Sequence, residues 1–252
     1  MSAVIPDRFT GRTIIVTGAG SGIGRATAAR LVAEGATVVG ADLSEERLRE
    51  VAEELGAPGF RYVAGSITDQ QVVDRVVAEA GPELWGLVNN AGIMDDFLPI
   101  AEIDDATWQR VLDVNLTAMM RLSRAAIPVM LARGAGVIVN VSSEAGIRAG
   151  AAGVAYTASK HAVIGLTKST SLFYARKGIR CNSVAPGGVA TNIQARMDTP
   201  GFAETIAPLL GAMMPPTATA DELAAAITFL LSDDASNISG AVLMCDGGWS
   251  VI

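Results

Sequence analysis

The stretch YTASK places two groups that can exchange protons, the phenol of Tyr156 and the ammonium of Lys160, four positions apart. Residues at i and i+4 share one face of a helix, so the lysine can lie close to the tyrosine. A free tyrosine ionises near pH 10, and lowering its pKa by one unit needs about 1.36 kcal/mol. The positive charge of Lys160 can supply part of that energy. The pair is a candidate general acid/base, or alternatively two solvated ends of a surface helix.

A glycine-rich loop, TGAGSGIG, follows the predicted strand 12–17 and opens a predicted helix. Its glycines fit the pattern G-x-x-x-G-x-G. Such a loop permits a tight turn, a close approach of the backbone to a pyrophosphate, and amide groups at a helix N-terminus that receive its charge. The loop therefore predicts nucleotide binding by Gly18, Ser21, Gly22, Ile23 and Gly24.

Asp42 ends the second predicted strand, where a carboxylate can accept hydrogen bonds from both ribose hydroxyls of an adenosine. The same charge about 4 Å from a 2′-phosphate would cost about 4 kcal/mol at an effective dielectric of about 20, which is roughly a thousandfold in affinity. Arg47, the cation nearby in sequence, is expected to pair with Glu45 or Glu46. We therefore expect NAD(H) rather than NADP(H) as the cofactor, with Leu43 beside it.

Short β-branched runs alternate with longer helical segments along the whole chain. The runs are continuously apolar, which is typical of strands covered on both faces. Strands that alternate with helices indicate a parallel sheet with right-handed crossovers. The sequence predicts one doubly wound α/β domain over residues 1–252, with strands at 12–17, 36–41, 61–65, 84–90, 136–142, 179–185 and 241–246 and helices near 22–34, 44–55, 69–80, 104–133, 155–177 and 219–231.

The segment from about Thr191 to Thr219 breaks this alternation. It contains four prolines and three methionines. A long insertion between regular elements is usually functional or mobile. Because the segment is rich in apolar residues, we expect it to form a lid over a partly apolar ligand.

The bulk composition excludes several classes of protein. The net charge of −7 disfavours nucleic-acid binding, because a phosphate backbone would be repelled. No apolar run approaches the roughly 20 residues of a transmembrane helix, and the opening residues lack a signal-peptide pattern. Cys181 and Cys245 lie in apolar contexts and are expected to be free thiols. With one histidine, His161, no usual zinc-ligand set can form. We expect a cytoplasmic protein with no metal and no membrane partner.

Four further segments stand in order with these motifs: NNAG (89–92), Asn115, VSS (141–143) and PGGVAT (186–191). With them, the chain resembles the short-chain dehydrogenase/reductase family from about Thr10 to its C-terminal end. The resemblance implies a Rossmann-like, seven-stranded, mostly parallel sheet with helices on both faces. It also implies NAD-linked interconversion of a secondary alcohol and a ketone, with catalytic residues Asn115, Ser143, Tyr156 and Lys160.

The resemblance assigns roles within this set. Tyr156 exchanges a proton with the substrate oxygen, Lys160 also binds the ribose hydroxyls, and Asn115 holds a water molecule. Helix 155–177, apolar around much of its circumference, is expected to pair with a second subunit in a homotetramer. Ser66 and Ile67 stand where many relatives carry an aspartate and a branched residue, so a weaker adenine contact is expected. The implied cofactor neighbours are Ser66, Ile67, Asn89, Ala91, Gly92, Pro186, Val189 and Thr191.

Two adjacent serines compete for the role of the donor that polarises the substrate oxygen. Neighbouring residues of a strand face opposite sides, so only one of Ser142 and Ser143 can face the site. The family spacing of thirteen residues before the tyrosine selects Ser143. Ser142 is then a structural hydroxyl.

The predicted substrate pocket is apolar, and no arginine or lysine clearly points into it, which favours an uncharged secondary alcohol or ketone. Glu144 is either a solvated loop charge, the interpretation we favour, or a residue that faces the substrate. His161 points about 100° away from Lys160 around the helix and is expected to be structural. The residues expected near the substrate are Met94, Phe97, Glu144, Ala145, Gly153, Met197, Phe202 and Met213.

Two alternative functions stay open. A 3-oxoacyl-[acyl-carrier-protein] reductase would share the family motifs. Such enzymes generally use NADPH, which Asp42 opposes, and the sequence shows no obvious basic patch for a carrier protein. A non-catalytic dinucleotide-sensing protein would share the fold, but the complete set of four catalytic residues argues against it.

Overall fold

Seven strands alternate with helices along the chain: β1 (Thr13–Thr17), β2 (Thr37–Asp42), β3 (Phe60–Ala64), β4 (Leu84–Asn89), β5 (Gly136–Val141), β6 (Ile179–Pro186) and β7 (Val242–Cys245). The computed structural model describes residues 3–56, 58–193 and 195–252. In it, the strands form one sheet in the order β3-β2-β1-β4-β5-β6-β7, and each neighbouring pair is parallel. The predicted doubly wound fold is confirmed.

The helices lie close to their predicted positions, and none in the described part of the chain is long and apolar enough to cross a membrane. They are α1 (Gly22–Ala33), α2 (Glu45–Leu55), α3 (Gln70–Ala80), α4 (Asp105–Leu112), α5 (Ala118–Arg133), α6 (Val154–Tyr174), α7 (Ala207–Met213) and α8 (Ala220–Leu231). The predicted single helix 104–133 is interrupted by a π-helical turn at Asp113–Thr117. Shorter helical turns lie at Glu144–Gly146, Ala175–Lys177, Phe202–Ile206, Asp233–Ala235 and Trp249–Val251.

Side chains close the first turns of three helices, as their sequences predict. Ser44 accepts a hydrogen bond from the backbone N–H of the third residue of α2, at 3.3 Å. Asp69 accepts from the N–H of the second residue of α3, at 2.9 Å, and Asp104 from the N–H of the third residue of α4, at 2.6 Å. These bonds satisfy backbone donors that have no partner within the helix, and so fix where each helix begins.

Both faces of the sheet are buried, because successive side chains of a strand point to opposite faces. Ile14 and Val16 of β1 pack with residues of α1, α2 and α8 on one face. Ile15, between them, packs with residues of α3 and α5 on the other face. All three side chains are fully buried. This two-sided burial is why the strands are continuously apolar in sequence.

The strand order reverses at the centre of the sheet, since β1 pairs with β2 on one side and with β4 on the other. In open parallel sheets a crevice forms outside the carboxyl ends of the strands at such a reversal, where the loops turn to opposite faces. The loops after the first six strands therefore meet at one edge, and this edge carries nearly all of the predicted site residues.

The segment 191–219 leaves the sheet edge and returns to it. An isolated bridge pairs Val189 with Ala218, and the N–H of Ala218 donates to the carbonyl of Gly188 at 2.9 Å. The segment contains α7, which the sequence analysis did not predict. The prolines of the segment argued against a helix in the sequence. Pro208, however, stands in the first turn of α7, where proline is tolerated. Gln194 lies outside the described residues.

Candidate active site

The loop after β1 has the backbone form that a pyrophosphate site requires. Gly18 and Gly22 have φ angles of 66° and 52°, in the left-handed region that glycine adopts without strain. A Cβ on Gly24 would lie 2.0 Å from the carbonyl oxygen of Gly18, so α1 can pack this close to the loop only with glycine there. Ser21 makes no side-chain cap to α1, and the first turn carries no acidic residue. This helix N-terminus is therefore suited to an anion.

A cavity of about 690 Å³, which we call the cofactor cavity, extends from this loop along the edge of the sheet. Most of the predicted cofactor and catalytic residues border it: Gly18, Ser21, Gly22, Ile23, Asp42, Leu43, Ser66, Ile67, Ala91, Gly92, Ser143, Tyr156, Lys160, Pro186, Val189 and Thr191. Others that the sequence analysis did not name border it too, among them Arg47, Asn90, Ile93, Val114 and Asn192.

Asp42 borders the cofactor cavity with both carboxylate oxygens engaged by the backbone. One accepts a hydrogen bond from the N–H of Gly20 and the other from the N–H of Ser44, each at 3.0 Å. These bonds fix the carboxylate at the end of β2. Leu43, which follows it, is 77% exposed.

Arg47 also borders the cofactor cavity. None of the ion pairs found among the described residues includes it, so the expected pairing with Glu45 or Glu46 is wrong. The reason is the helix geometry, because residues one and two positions apart do not face each other. Arg47 is therefore a cation at the cofactor cavity that forms no ion pair with another described residue.

Asn89 lies inside the protein and not at the cavity. Its side chain is fully buried, and Nδ2 donates to Asn140 at 2.8 Å and to Ser123 of α5 at 3.2 Å. As the last residue of β4 it points into the helix layer, whereas Asn90 borders the cofactor cavity. The prediction that Asn89 contacts the cofactor is therefore wrong. Gly24 does not border the cavity either, because its role is the close packing of α1.

Asn115 lies in the π-helical turn between α4 and α5 and is fully buried. Its Oδ1 accepts from the N–H of Ile93 at 2.8 Å, and its Nδ2 donates to the carbonyl of Ile93 at 2.9 Å and to Ser159 at 3.2 Å. Asn115 thus joins this turn to the loop after β4 and to α6. Of the residues in the turn, Val114 borders the cofactor cavity and Asn115 stands behind it.

The two adjacent serines have different partners. Ser142 donates to the carbonyl of Lys160 at 2.9 Å, and its side chain is buried, as expected for a structural hydroxyl. Ser143 accepts from the N–H of Ala145 at 3.1 Å and makes a side-chain hydrogen bond with Tyr156. The hydroxyl next to the phenol is therefore that of Ser143.

Tyr156 and Lys160 lie in the first two turns of α6, with exposures of 9% and 2%. The Nζ of Lys160 donates to the carbonyl of Val141 at 2.9 Å and lies 5.3 Å from the centroid of the Tyr156 ring. Both side chains are buried and border the cofactor cavity, so the alternative of a solvated surface pair is wrong. His161, the next residue, is exposed, and its Nδ1 lies 2.9 Å from the carbonyl oxygen of Thr157.

Burial dominates the ionisation of this pair. It raises the pKa of Tyr156 to about 12; the hydrogen bond with Ser143 opposes the rise and the charge of Asp95 adds to it. Burial lowers the pKa of Lys160 to about 8. The expected lowering of the Tyr156 pKa by Lys160 is thus not produced by the charges of this chain, because desolvation of the buried phenolate raises this pKa more than the hydrogen bond with Ser143 lowers it.

Glu144 is buried, with 1% exposure, and its carboxylate pairs with Arg148. The guanidinium of Arg148 also donates to the carbonyls of Trp249 and Ile252, each at 2.5 Å. Burial raises the pKa of Glu144, and the pairing with Arg148 opposes this rise. Glu144 borders neither cavity described here. Both interpretations from sequence, a solvated charge and a substrate contact, are therefore wrong, since the turn after Ser143 directs this side chain towards the C-terminal residues.

A second cavity of about 460 Å³, the apolar cavity, lies beside the first residues of α6. Apolar side chains, glycines and two threonines line it, from the loop after β4, the end of the 147–153 loop, α6 and the segment 201–206. Phe97 and Gly153, two of the predicted substrate residues, belong to its lining. Ala152 also lines it and packs against Tyr156, so the apolar cavity adjoins the catalytic end of the cofactor cavity.

The other predicted substrate residues are divided between two places. Met94 and Ala145 pack against the Tyr156 side chain. The ring of Phe202 lies 4.8 Å from the ring of Phe97, which lines the apolar cavity. These three are neighbours of the site and line neither the cofactor cavity nor the apolar cavity.

The methionines of the segment 191–219 are not where the sequence analysis expected them. Met197 is 62% exposed, Met213 is half-buried, and neither borders the two cavities. Met214 instead approaches the loop after β6, with its sulfur 3.2 Å from where a Cβ on Gly188 would lie. Met214 is itself 41% exposed, so none of these three methionines is buried in the protein.

Asp95 is a functional candidate that the sequence analysis missed. It is fully buried, and its carboxylate accepts hydrogen bonds from the N–H groups of Phe97 at 3.2 Å, Gly153 at 3.1 Å and Tyr156 at 2.9 Å. It therefore joins the loop after β4 to the N-terminus of α6. The signal in sequence was a pair of aspartates inside an otherwise apolar stretch, IMDDFL.

The same loop is strained where it meets the segment 191–219. Asp96 and Phe97 both have a φ of 57°, a region that costs a non-glycine residue about 1–3 kcal/mol. The carboxylate of Asp96 accepts from the backbone N–H of Arg196 at 2.9 Å and from its Nε at 3.2 Å. The loop thus contacts α6 through Asp95 and the segment 191–219 through Asp96.

Cys181 and Cys245 are free thiols, as predicted. Burial raises the pKa of Cys181 to about 12 and that of Cys245 to about 11. In the part of the chain that is described, no three histidine, cysteine, aspartate or glutamate side chains are grouped so that they could hold a metal ion. Both thiols are thus packing groups.

Comparison with known proteins agrees with this geometry. Residues 12–200 match the family described as short chain dehydrogenase. The chain is 43% identical over 252 residues to the 3beta-hydroxysteroid dehydrogenase 2 of Eggerthella lenta, with 96% of both proteins covered. It is also 43% identical to the short-chain dehydrogenase/reductase cdmF of Talaromyces verruculosus, covering 95% of this chain and 97% of that protein. The chain belongs to the short-chain dehydrogenase/reductase family, and is thus an oxidoreductase that binds a nicotinamide dinucleotide.

Solved structures of similar proteins share the whole fold. Levodione reductase superposes with a TM-score of 0.88 at 33% identity, covering 97% of this chain and 99% of that one. A candidate NAD(P) dependent gluconate 5-dehydrogenase from Beutenbergia cavernae, with bound NADP at low occupancy, superposes with a TM-score of 0.86 at 38% identity, covering 98% and 100%.

The buried Glu144–Arg148 pair leads to a prediction about stability and pH. Replacing Arg148 with alanine leaves the Glu144 carboxylate buried without its cation, which is expected to cost about 3 kcal/mol at pH 7.5. In this variant the pKa of Glu144 is higher in the folded than in the unfolded protein. The free energy of unfolding therefore falls as the pH rises from the pKa of the unfolded state through that of the folded state. Urea denaturation should therefore show a smaller deficit relative to wild type at pH 5 than at pH 7.5.

The double variant Glu144→Gln, Arg148→Ala is the control, because glutamine cannot titrate. Relative to the single variant Glu144→Gln, its deficit should not change between the two pH values. A deficit of Arg148→Ala that is equal at pH 5 and pH 7.5 would show that the Glu144 charge does not contribute.

Proposed function

We propose that this protein is an NAD(H)-dependent oxidoreductase that interconverts a secondary alcohol and a ketone, with Tyr156 as the general acid/base. The observation that carries the proposal is that Ser143, Tyr156 and Lys160 border the same cavity as the glycine-rich loop and Asp42. One cavity thus combines a helix N-terminus suited to a pyrophosphate with a buried group that can transfer a proton.

The residues of the cofactor cavity fit a nicotinamide dinucleotide. A Cβ on Gly22 would lie 3.1 Å from Thr191 across the cavity, and a Cβ on Gly92 would lie 3.3 Å from Asn115 and 3.5 Å from the Nζ of Lys160. Glycines therefore keep the narrow places open. We assign the pyrophosphate to the loop after β1, the adenosine to the ends of β2 and β3, and the nicotinamide to the loop after β6. When bound, the nicotinamide supplies the hydride acceptor or donor.

The chain itself orients the substrate and moves the proton. The hydroxyl of Ser143 hydrogen-bonds the substrate oxygen. In ketone reduction the phenol of Tyr156 donates its proton to that oxygen, and in alcohol oxidation its phenolate accepts one. The cation of Lys160 stabilises the phenolate. Burial keeps the phenol protonated at neutral pH. A protonated phenol can donate to a ketone oxygen, so the site favours reduction near pH 7 and oxidation at higher pH, where the phenolate forms.

The preference for NAD(H) rests on Asp42. Its carboxylate is fixed by two backbone hydrogen bonds, so it keeps its place and repels a 2′-phosphate. Arg47 and the NADP held by the gluconate 5-dehydrogenase neighbour argue for the opposite preference. We favour Asp42 because two hydrogen bonds fix its carboxylate, whereas the Arg47 side chain is exposed to solvent.

For the substrate we propose an uncharged alicyclic alcohol or ketone with an apolar skeleton. The apolar cavity supports this, since it adjoins Tyr156 and has a volume of about 460 Å³. The name of one relative, 3beta-hydroxysteroid dehydrogenase 2, also refers to a substrate of this class. Residues 191–219 would act as the lid, and their contacts with Asp96 and Phe97 support this role.

We also propose a cytoplasmic location, which the two free thiols support because reducing compartments preserve thiols.

Replacing Tyr156 with phenylalanine tests the proposed reaction. The variant removes the transferable proton and keeps the packing, so kcat should fall by about 10²–10⁴ while KM and the melting temperature change little. The measurement is NADH-linked reduction of a panel of alicyclic and acyclic ketones at pH 7. His161→Gln, an exposed neighbour on α6, is the control and should retain full activity. Unchanged turnover in Tyr156→Phe would remove tyrosine from the mechanism.

Replacing Asp42 with serine tests the cofactor preference. The loss of hydrogen bonds to a charged group should weaken NADH binding by roughly 10- to 100-fold, and the loss of repulsion should strengthen NADPH binding. Both dissociation constants are measured by fluorescence titration, and Glu45→Gln, the same charge change on the exposed first turn of α2, should leave both within about twofold. Tighter binding of NADPH than NADH by the wild type would reject the preference and favour the 3-oxoacyl thioester reductase.

We propose a homotetramer that pairs α6 between subunits. Leu172 and Phe173 on α6 support it, since they are 78% and 65% exposed in the single chain. Solution scattering should give the mass of a tetramer for the wild type and a smaller mass for Phe173→Glu, because a buried charge without a partner opposes association. Arg49→Glu, on the exposed face of α2, should remain tetrameric. A monomeric wild-type mass rejects this proposal.

A further inference from the structure

Asp95 is a buried carboxylate that contacts the backbone of Tyr156, the proposed proton donor, and the proposed mechanism does not use it. It lies in the loop after β4, and it is fully buried. Its two oxygens accept hydrogen bonds from the backbone N–H groups of Gly153 and Tyr156, at 3.1 Å and 2.9 Å, across 58 and 61 residues of sequence. A third bond, from Phe97 at 3.2 Å, fixes the loop around it.

These bonds give α6 the N-terminal cap that its own sequence lacks. The residue before the helix is Gly153, which has no side chain to cap with. The donors at the start of α6 that a cap would satisfy belong to Gly153 and to Tyr156, the third residue of the helix. A Cβ on Gly153 would lie 2.6 Å and 2.7 Å from the Asp95 oxygens, so glycine is required for the carboxylate to come this close.

Two described residues of opposite charge, Lys160 and Asp95, act on the phenol. Lys160 of α6 lies 5.3 Å from the ring centroid. Asp95 acts on the phenol from the loop after β4, and Ser143 contributes a neutral hydroxyl after β5. The neighbouring acid, Glu144, is turned away towards Arg148.

We propose that Asp95 is a positioning residue for the Tyr156 phenol: it caps the first turn of α6 from another segment of the chain and places a negative charge beside the phenol. The inference rests on the proposed function, in which Tyr156 transfers the proton. The charge holds the proton on the phenol, and the cap holds the phenol beside Ser143. Asp95 thereby adds to the effect of burial and extends to higher pH the range in which the phenol can act as an acid.

Direct titration of Tyr156 tests the charge without any turnover. The protein is labelled with ¹³C at the tyrosine Cζ, and Tyr156→Phe identifies the signal. At pH 11 the Asp95→Asn variant should contain about threefold or more phenolate at Tyr156 than the wild type, since a negative charge that opposes ionisation is gone. Asp96→Asn is the matched control, because its carboxylate faces Arg196, and it should titrate as the wild type does. Equal phenolate in Asp95→Asn and Asp96→Asn overturns the electrostatic role.

Kinetics test the positioning. In Asp95→Asn the rise of alcohol oxidation with pH should move to lower pH, because the phenolate forms more easily. Asp95→Glu keeps the charge but lengthens the side chain in a place with no spare room, so kcat should fall at least about tenfold with the wild-type pH dependence retained. Full kcat in Asp95→Glu overturns the positioning role, including the case in which Asp95→Asn does not fold.

The two arms separate this inference from the proposed function. If the phenolate fraction is higher in Asp95→Asn, the electrostatic role of Asp95 is supported, whether or not the protein is active. If the wild-type protein turns over no alcohol or ketone, the proposed reaction is rejected. Turnover that depends on Tyr156 but is indifferent to Asp95 supports the reaction and rejects the inference.

Discussion

The common direction of the seven strands is the constraint on which the site depends. Because every pair of neighbours is parallel, all carboxyl ends lie at one edge of the sheet, and the reversal of strand order at β1 opens a crevice there. Gly18, Asp42, Ser143 and Pro186 are separated by up to 168 residues and border one cavity for this reason. Helices cover both faces, so this edge is where a ligand can approach the backbone.

Burial of α6 gives the site its chemistry. Desolvation acts in opposite directions on an acid and a base, and so it raises the pKa of Tyr156 and lowers that of Lys160. Below pH 8 the result is a neutral phenol next to an ammonium group. The carbonyl of Val141 accepts a hydrogen bond from this ammonium and so offsets part of the cost of burying it. The same burial makes the phenol a proton donor at neutral pH.

Contacts from outside the sheet hold the loops around this pair. Asp95 fixes the start of α6, and Asp96 contacts Arg196 in the segment 191–219. Arg148 joins the turn after Ser143 to the C-terminal residues through Glu144 and the carbonyl of Trp249. Each contact links a loop next to the cofactor cavity to a distant segment. The site therefore depends on the folding of the whole chain, including its last residues.

The sequence by itself determined the features that arise from short-range patterns. Apolar runs and helix caps predicted the seven strands and most helices, the spacing of Gly18, Gly22 and Gly24 predicted the loop, and the i, i+4 rule brought Tyr156 and Lys160 together. A local pattern carries such features because the residues involved are neighbours along the chain. The single predicted helix 104–133 was nearly right, but the π-helical turn that orients Asn115 has no clear local signal.

Only the tertiary structure decided which side chains turn towards the cavity and which partners they meet. Asn89 and Asn90 are adjacent and similar, yet the pleat of β4 buries the first and places the second at the cavity. Asp95 accepts a hydrogen bond from Gly153, 58 residues away, and Glu144 pairs with Arg148, which itself donates to the carbonyl of Trp249, 101 residues further on. The upward shift of the Tyr156 pKa also followed from burial and not from the nearby lysine. Desolvation and long-range partners are properties of the packed chain, and no local pattern in the sequence contains them.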